Sequence, residues 1–242
     1  MIKHLIYESL KIKRTMLIKL VYGVPILICI ASLLTSSFYF VPNTFNWISC
    51  YFINILVSIF SIYMYNHEMK STKFSYIRLL QKTEVFKNVL AKDIVQAILL
   101  LITLLLMGII TLILETILLE SNYGIYPIFF SVISIWVTSL WQIPFQKKLI
   151  KKIGTLGTII VNFLLGSIFG ILAAKKVFWY LVPWTWTVRP LLTILNVDPN
   201  GTIIPVDNPY NSYWNVILPM LLSMILYTIQ NAYIRNLQTK EV

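Results

Sequence analysis

Apolar residues gather into six long stretches, at 17–40, 47–65, 94–118, 126–145, 154–174 and 216–234, and charged residues are almost confined to the connections between them. A helix needs roughly 20 predominantly apolar residues to cross a bilayer, so each stretch is long enough. Lipid satisfies no backbone N–H or C=O group, which leaves helices and closed barrels as the spanning structures. The stretches lack the strict alternation of barrel strands. The pattern therefore predicts an all-α, polytopic membrane protein: a single domain over 1–242 with six transmembrane helices.

The connections carry further pattern. Ile2, Leu5, Ile6 and Leu10 recur near helical spacing, with Lys3, His4, Glu8 and Lys11 at the other positions. This predicts an N-terminal interfacial helix within 1–15, against the plainer reading of a basic flank. Connection 67–93 is too long for a turn and too apolar for a disordered linker. Phe74, Ile77, Leu79 and Leu80 make one amphipathic piece; a break follows at Gln81, Lys82 and Thr83, where Thr83 caps a new helix with Glu84 in its first turn. Such a piece suits either a soluble partner or lipid headgroups. Connection 175–213 holds Phe178, Trp179, Tyr180, Leu181, Trp184 and Trp186, then five prolines from Pro183 to Pro209 and a turn at Asp198-Pro199-Asn200-Gly201. Aromatic rings of this density belong at a membrane–water interface. The expectation is a re-entrant segment of short broken helices between helices 5 and 6, followed by an ordered external loop; a plain aromatic belt is the alternative.

Composition agrees with the pattern: 58% of residues are hydrophobic and 12% charged, with mean hydropathy +0.78, where soluble domains carry about 25% charged residues. The net charge of +11 has a topological reading. All but three of the 20 lysines and arginines fall on the amino-terminal side, the second and fourth connections and the tail; Lys175, Lys176 and Arg189 lie opposite. By the positive-inside rule both termini are cytoplasmic, and the charge meets anionic lipid, not nucleic acid. The first stretch follows a basic start, yet its length and the lack of an A-x-A-like site argue for a retained anchor. Cys29 and Cys50 have neither the spacing nor the neighbours of a metal or redox pair.

In the fifth stretch Gly154, Thr158, Asn162, Gly166 and Gly170 repeat every fourth residue and form one small or polar stripe, the pattern of close helix packing; Asn162 lining a substrate path is the second reading. Lys19 and Glu115 sit near span ends, from which they can snorkel. No acidic residue is read deep in facing helices, which counts against an ion-driven pump. The chain has no G-x-x-x-x-G-K-[ST] phosphate loop, no H-E-x-x-H and no G-x-S-x-G, and His4 and His67 lack ligand-spaced companions. The expectation is a chain with no catalytic site, metal site or cofactor of its own.

The inner-surface helix, six spans, cytoplasmic helix and aromatic segment, with Glu8 and KIKRT (11–15), NTFNW (43–47) and VPWTWTVRPLLTILNVDPNG (182–201), resemble the permeases of type 2 ABC exporters. The likeness is narrower to the lantibiotic-protection permeases of Gram-positive bacteria, the epidermin, mutacin and nisin immunity group. The resemblance implies a multi-pass cell-membrane subunit that expels an amphipathic antimicrobial peptide and protects the producing cell. A separate ATPase dimer, holding the ATP and Mg, would grip Phe74, Tyr76, Ile77, Arg78 and Leu80. A second permease, a sister subunit or another copy, would meet the stripe of Gly154, Thr158, Asn162, Gly166 and Gly170. Trp179, Trp184, Trp186 and Arg189 would face the peptide; Arg189, Lys175 and Lys176 would pair with lipid phosphates, and Asp198, Asp207 and Glu120 supply external negative charge. The alternatives are an ABC exporter of a lipid-linked glycan or drug, and a stand-alone immunity or scaffold protein working without ATP.

Overall fold

Helices carry the chain from end to end, as the apolar runs demand when the backbone must satisfy itself. The computed structural model describes residues 1–242 except 14, 36–38, 73–81, 119–122, 205–207 and 241–242, with only the backbone described at 68–72, 82–85, 118 and 234–240. The elements are α1 (Ile2–Ile12), α2 (Met16–Thr35), α3 (Phe40–Trp47), a π-turn (Ile48–Phe52), α4 (Ile53–Thr72), α5 (Lys82–Leu118), α6 (Ile125–Ser139) and α7 (Gln142–Leu172). Two 3-10 turns (Trp179–Leu181 and Pro183–Thr187), α8 (Arg189–Ile194) and α9 (Trp214–Lys240) complete the order. Among the described residues the β-structure is one isolated bridge, Val197 to Ile203.

Among the described residues five helical runs are long and apolar enough to cross a membrane: Met16–Thr35, Phe40–His67, Phe86–Ile117, Gln142–Leu172 and Trp214–Tyr233. The chain is a multi-pass, all-helical membrane protein. Its outward faces are those of a protein dissolved in lipid. On α7, Leu156, Ile160, Leu164 and Ile168 are exposed, while Thr158, Asn162, Gly166 and Gly170 on the opposite face are buried. On α5, Ile98, Ile102, Ile109 and Ile113 point outward, and Gln96, Thr103 and Thr111 point inward. Lipid tails are as apolar as Leu, so burial of apolar area does not hold such helices together; close packing and hydrogen bonds do. α7 lies along α4, α5 along α2 and α6, and α9 along α6, α7 and α8. Gly108 on α5 gives one close approach, since a Cβ there would stand 2.9 Å from Val132 Cγ2 on α6.

Several boundaries differ from those expected. α2 stops at Thr35, and Phe40 opens the next helix, so NTFNW lies inside α3 instead of in a loop. Pro42 sits in the first turn of α3, where a helix has no use for its missing N–H. The fourth stretch gives α6, of 15 residues, and the chain keeps helical dihedrals through Leu140 (φ −59°, ψ −35°) and Trp141 (φ −58°, ψ −24°) into α7. The connection read at 146–153 is helical, and the path breaks at Gly154 (φ 74°, ψ −175°), a conformation only glycine adopts freely. Lys19 is exposed, as snorkelling requires. Glu115 instead is 2% exposed and accepts the backbone N–H of Tyr123 at 2.6 Å. α1 forms as expected, but Glu8 faces inward and pairs with Lys11 at 2.6 Å while Ile2, Ile6 and Leu10 face out.

Candidate functional site

The small stripe of α7 fixes the centre of the bundle. Gly166 lies against Asn54 of α4, so close that a Cβ would fall 2.0 Å from Asn54 Nδ2. The partner helix is therefore this chain's own α4, and the face expected between two permeases is filled from within, at Thr158, Asn162, Gly166 and Gly170. Gly154 is exposed at the helix break. Asn54 lies two residues beyond the π-turn, a local widening of the helix that recurs at functional positions.

Around Asn54 three side-chain amides close a network. Asn54 Nδ2 donates to the carbonyl of Cys50 at 3.0 Å, and Gln142 Nε2 donates to Asn54 Oδ1 at 2.9 Å. Asn162 Nδ2 donates to Gln142 Oε1 at 2.9 Å and to the carbonyl of Asn54 at 2.8 Å, with Ser58 Oγ at 3.2 Å. Trp184 Nε1 donates to Asn162 Oδ1 at 2.9 Å. Asn54, Ser58, Gln142 and Asn162 are all fully buried. In a dry site each would be costly alone; together they satisfy one another. The network joins α4, the two stretches of α7 on either side of Gly154 and the aromatic segment.

The aromatic segment is broken into the short turns expected of it, with its rings turned into the protein. Trp141 meets Trp184 edge-on at 5.2 Å and Trp186 at 6.0 Å, and Phe145 meets Trp184 at 5.7 Å. Trp179 and Trp186 are buried, Trp184 partly so. Val177, Phe178, Tyr180 and Leu181 are the large apolar side chains left exposed here. Arg189 is 7% exposed: Nη1 donates to the carbonyl of Ala174 at 2.6 Å, and Nε and Nη2 donate to Asn215 Oδ1 at 3.0 and 2.9 Å. Its guanidinium lies 5.0 Å from the Trp179 ring centre and 4.8 Å from that of Tyr210. No described carboxylate is among these partners. Burial pushes the guanidinium below its ordinary value and Tyr210 opposes the shift; arginine stays charged regardless. Lys175 pairs with Asp198, so neither it nor Arg189 is left to lipid phosphates.

The Asp198 turn is a small hairpin. Gly201 N donates to Asp198 O at 2.8 Å, Asp198 N to Thr202 O at 2.8 Å, and Gly201 holds φ 91°. It sits on α3, where a Cβ on Gly201 would be 3.1 Å from Asn43 Oδ1 and 3.2 Å from Asn46 Nδ2. Thr187 Oγ1 donates to the carbonyl of Ser49 at 3.1 Å. Segment 175–213 is thus bound to α3, the π-turn and α9. Phe74, Tyr76, Ile77, Arg78 and Leu80 lie outside the described residues, as do Glu120 and Asp207. Sequence reasoning missed Asn54, Ser58 and Gln142; the four-residue spacing of Asn54 and Ser58 within an apolar run was the available signal. It also missed the buried pair of Asp93 on α5 and Lys147 on α7. Comparisons with models of protein families, with curated proteins and with solved structures give no match.

Proposed function

We propose that this chain is the permease subunit of an ABC exporter that removes an amphipathic, lantibiotic-type antimicrobial peptide from the cell membrane, driven by a separate ATPase dimer. The observation that carries the reading is the meeting of two stretches on which the family resemblance rests: Asn43 and Asn46 stand against Gly201 of the hairpin, while Trp184 from the same second stretch reaches into the α4–α7 network. Residues far apart in sequence that converge on one face behave as parts of one device.

In this reading the membrane is crossed six times. The helical path from Ile125 to Ile153 forms the fourth crossing, Gly154 the inner turn, and 155–172 the fifth, a rise of about 27 Å against the roughly 30 Å of the hydrocarbon core. Both termini and the lysines at 147–152 face the cytoplasm, α1 lies on the inner leaflet, and 175–213 re-enters the outer leaflet. The peptide meets the exposed rim of Phe178 and Tyr180, with Trp179, Trp184, Trp186 and Arg189 supporting that rim from behind. ATP binding in the partner moves the permease through the 74–80 piece. Phe74→Glu should then abolish peptide tolerance in cells while the chain still inserts in the membrane. Full tolerance in that variant would contradict coupling to an ATPase.

A further inference from the structure

Asp93 is fully buried on α5, and its Oδ1 is paired with Lys147 on α7, whose side chain keeps 22% exposure. Among the described residues its second oxygen, Oδ2, has no partner. Gln146, the neighbour of Lys147, is fully buried with neither Nε2 nor Oε1 bonded among the described residues, and Asn88 Oδ1 on α5 and Asn231 Nδ2 on α9 are likewise buried and unbonded there. Buried polar atoms are nearly always partnered, and an ionisable group within a membrane helix is costly enough to imply a use. The charged and titratable groups acting on Asp93 are Lys147 from α7, Lys92 on its own helix and Tyr227 from α9. Of the other helices on α5, α1 brings Glu8 and Lys11, paired with each other; α2 brings the exposed Lys19; α4 brings Tyr63 and His67, in ring contact; α6 presents Ser131 and Ser134.

We propose that Asp93 is a proton-binding site that ties α5 to α7 when empty and releases them when filled. A proton from water adds to Oδ2, the carboxylate becomes a neutral carboxyl, and Lys147 withdraws its ammonium to solvent along its apolar stem. Two features favour a proton over a metal cation. Lys147 and Lys92 repel a second cation, and a single free oxygen is a proton's site, not a coordination shell. Proton occupancy rises as pH falls, so the tie is intact at high pH and opens on acidification. Gln142, one turn from Gln146 on α7, belongs to the amide network, so movement of this end of α7 reaches Asn54 and Asn162.

The test uses the full chain in lipid nanodiscs, with Cys29 and Cys50 replaced by alanine and spin labels at Ile98→Cys and Ile153→Cys, positions 47% and 45% exposed. The interspin distance is measured by pulsed electron resonance from about pH 8 to about pH 4, a range that reaches down to the ordinary carboxyl value. The unaltered pair should lengthen on acidification, and Asp93→Asn should hold the longer distance throughout. Lys147→Gln, which removes the other half of the tie, should likewise hold the longer distance at every pH. A distance that ignores pH in the parent chain overturns the proposal. So does a full pH response in either Asp93→Asn or Lys147→Gln; the parent and Lys147→Gln decide the matter even where Asp93→Asn does not fold.

Discussion

Gly166→Ala is the substitution that the geometry addresses most sharply. The added methyl falls 2.0 Å from Asn54 Nδ2 and 2.5 Å from its Cγ. A flexible side chain would swing aside, but Asn54 is fully buried with Nδ2 bonded to Cys50 and Oδ1 to Gln142. Two hydrogen bonds are lost, each about 0.6 kcal/mol in membrane helices, and overpacking adds about 1–3 kcal/mol. Alanine recovers about 1 kcal/mol of helix propensity. The net destabilisation is about 2 kcal/mol. Gly23→Ala is the matched control, since nothing lies within 4 Å of a Cβ there; it should be neutral or stabilising by up to about 1 kcal/mol. Both are measured by reversible unfolding in mixed micelles with a rising fraction of denaturing detergent. A Gly166→Ala chain as stable as Gly23→Ala would refute the close α4–α7 contact and with it the network.

Two further substitutions separate packing from hydrogen bonding. Trp184→Phe keeps an aromatic ring against Trp141 and Phe145 but strands Asn162 Oδ1, and the same unfolding assay should register a loss of about 1–2 kcal/mol. Arg189→Lys replaces a planar fork by a point charge that cannot serve Ala174 and Asn215 together or lie flat between Trp179 and Tyr210. Limited proteolysis within 175–213 should accelerate several-fold while the helical circular dichroism signal stays unchanged.

The apolar runs made the helices legible because lipid leaves the backbone no other choice. Their ends were less so. Phe40 and NTFNW read as the close of one span and a polar link, yet Asn43 and Asn46 are accommodated by a hairpin some 150 residues later in the chain; no local pattern carries that contact. The stripe of α7 announced a close approach without naming its partner, since small residues invite any helix equally. Asn54 and Ser58 were the complementary signal on α4, hidden in an otherwise apolar run. Glu115 was read near a span end and Asp93 only as the last residue of a connection, where charges ordinarily escape to water; Tyr123 and Lys147 hold them inside instead. The hairpin at Asp198 was legible for the opposite reason, because Pro and Gly fix its turn chemistry locally.

The central claim is that this membrane chain works as the partner of an ATPase on an amphipathic peptide. The direct measurement is purification of the tagged full chain from its native host in mild detergent, with the ATP turnover of the purified material titrated against cationic lanthionine peptides. The account predicts a stoichiometric ATPase whose turnover rises with peptide and fails to rise when the chain carries Phe74→Glu. A chain that purifies without an ATPase, or with turnover indifferent to every such peptide, would contradict it.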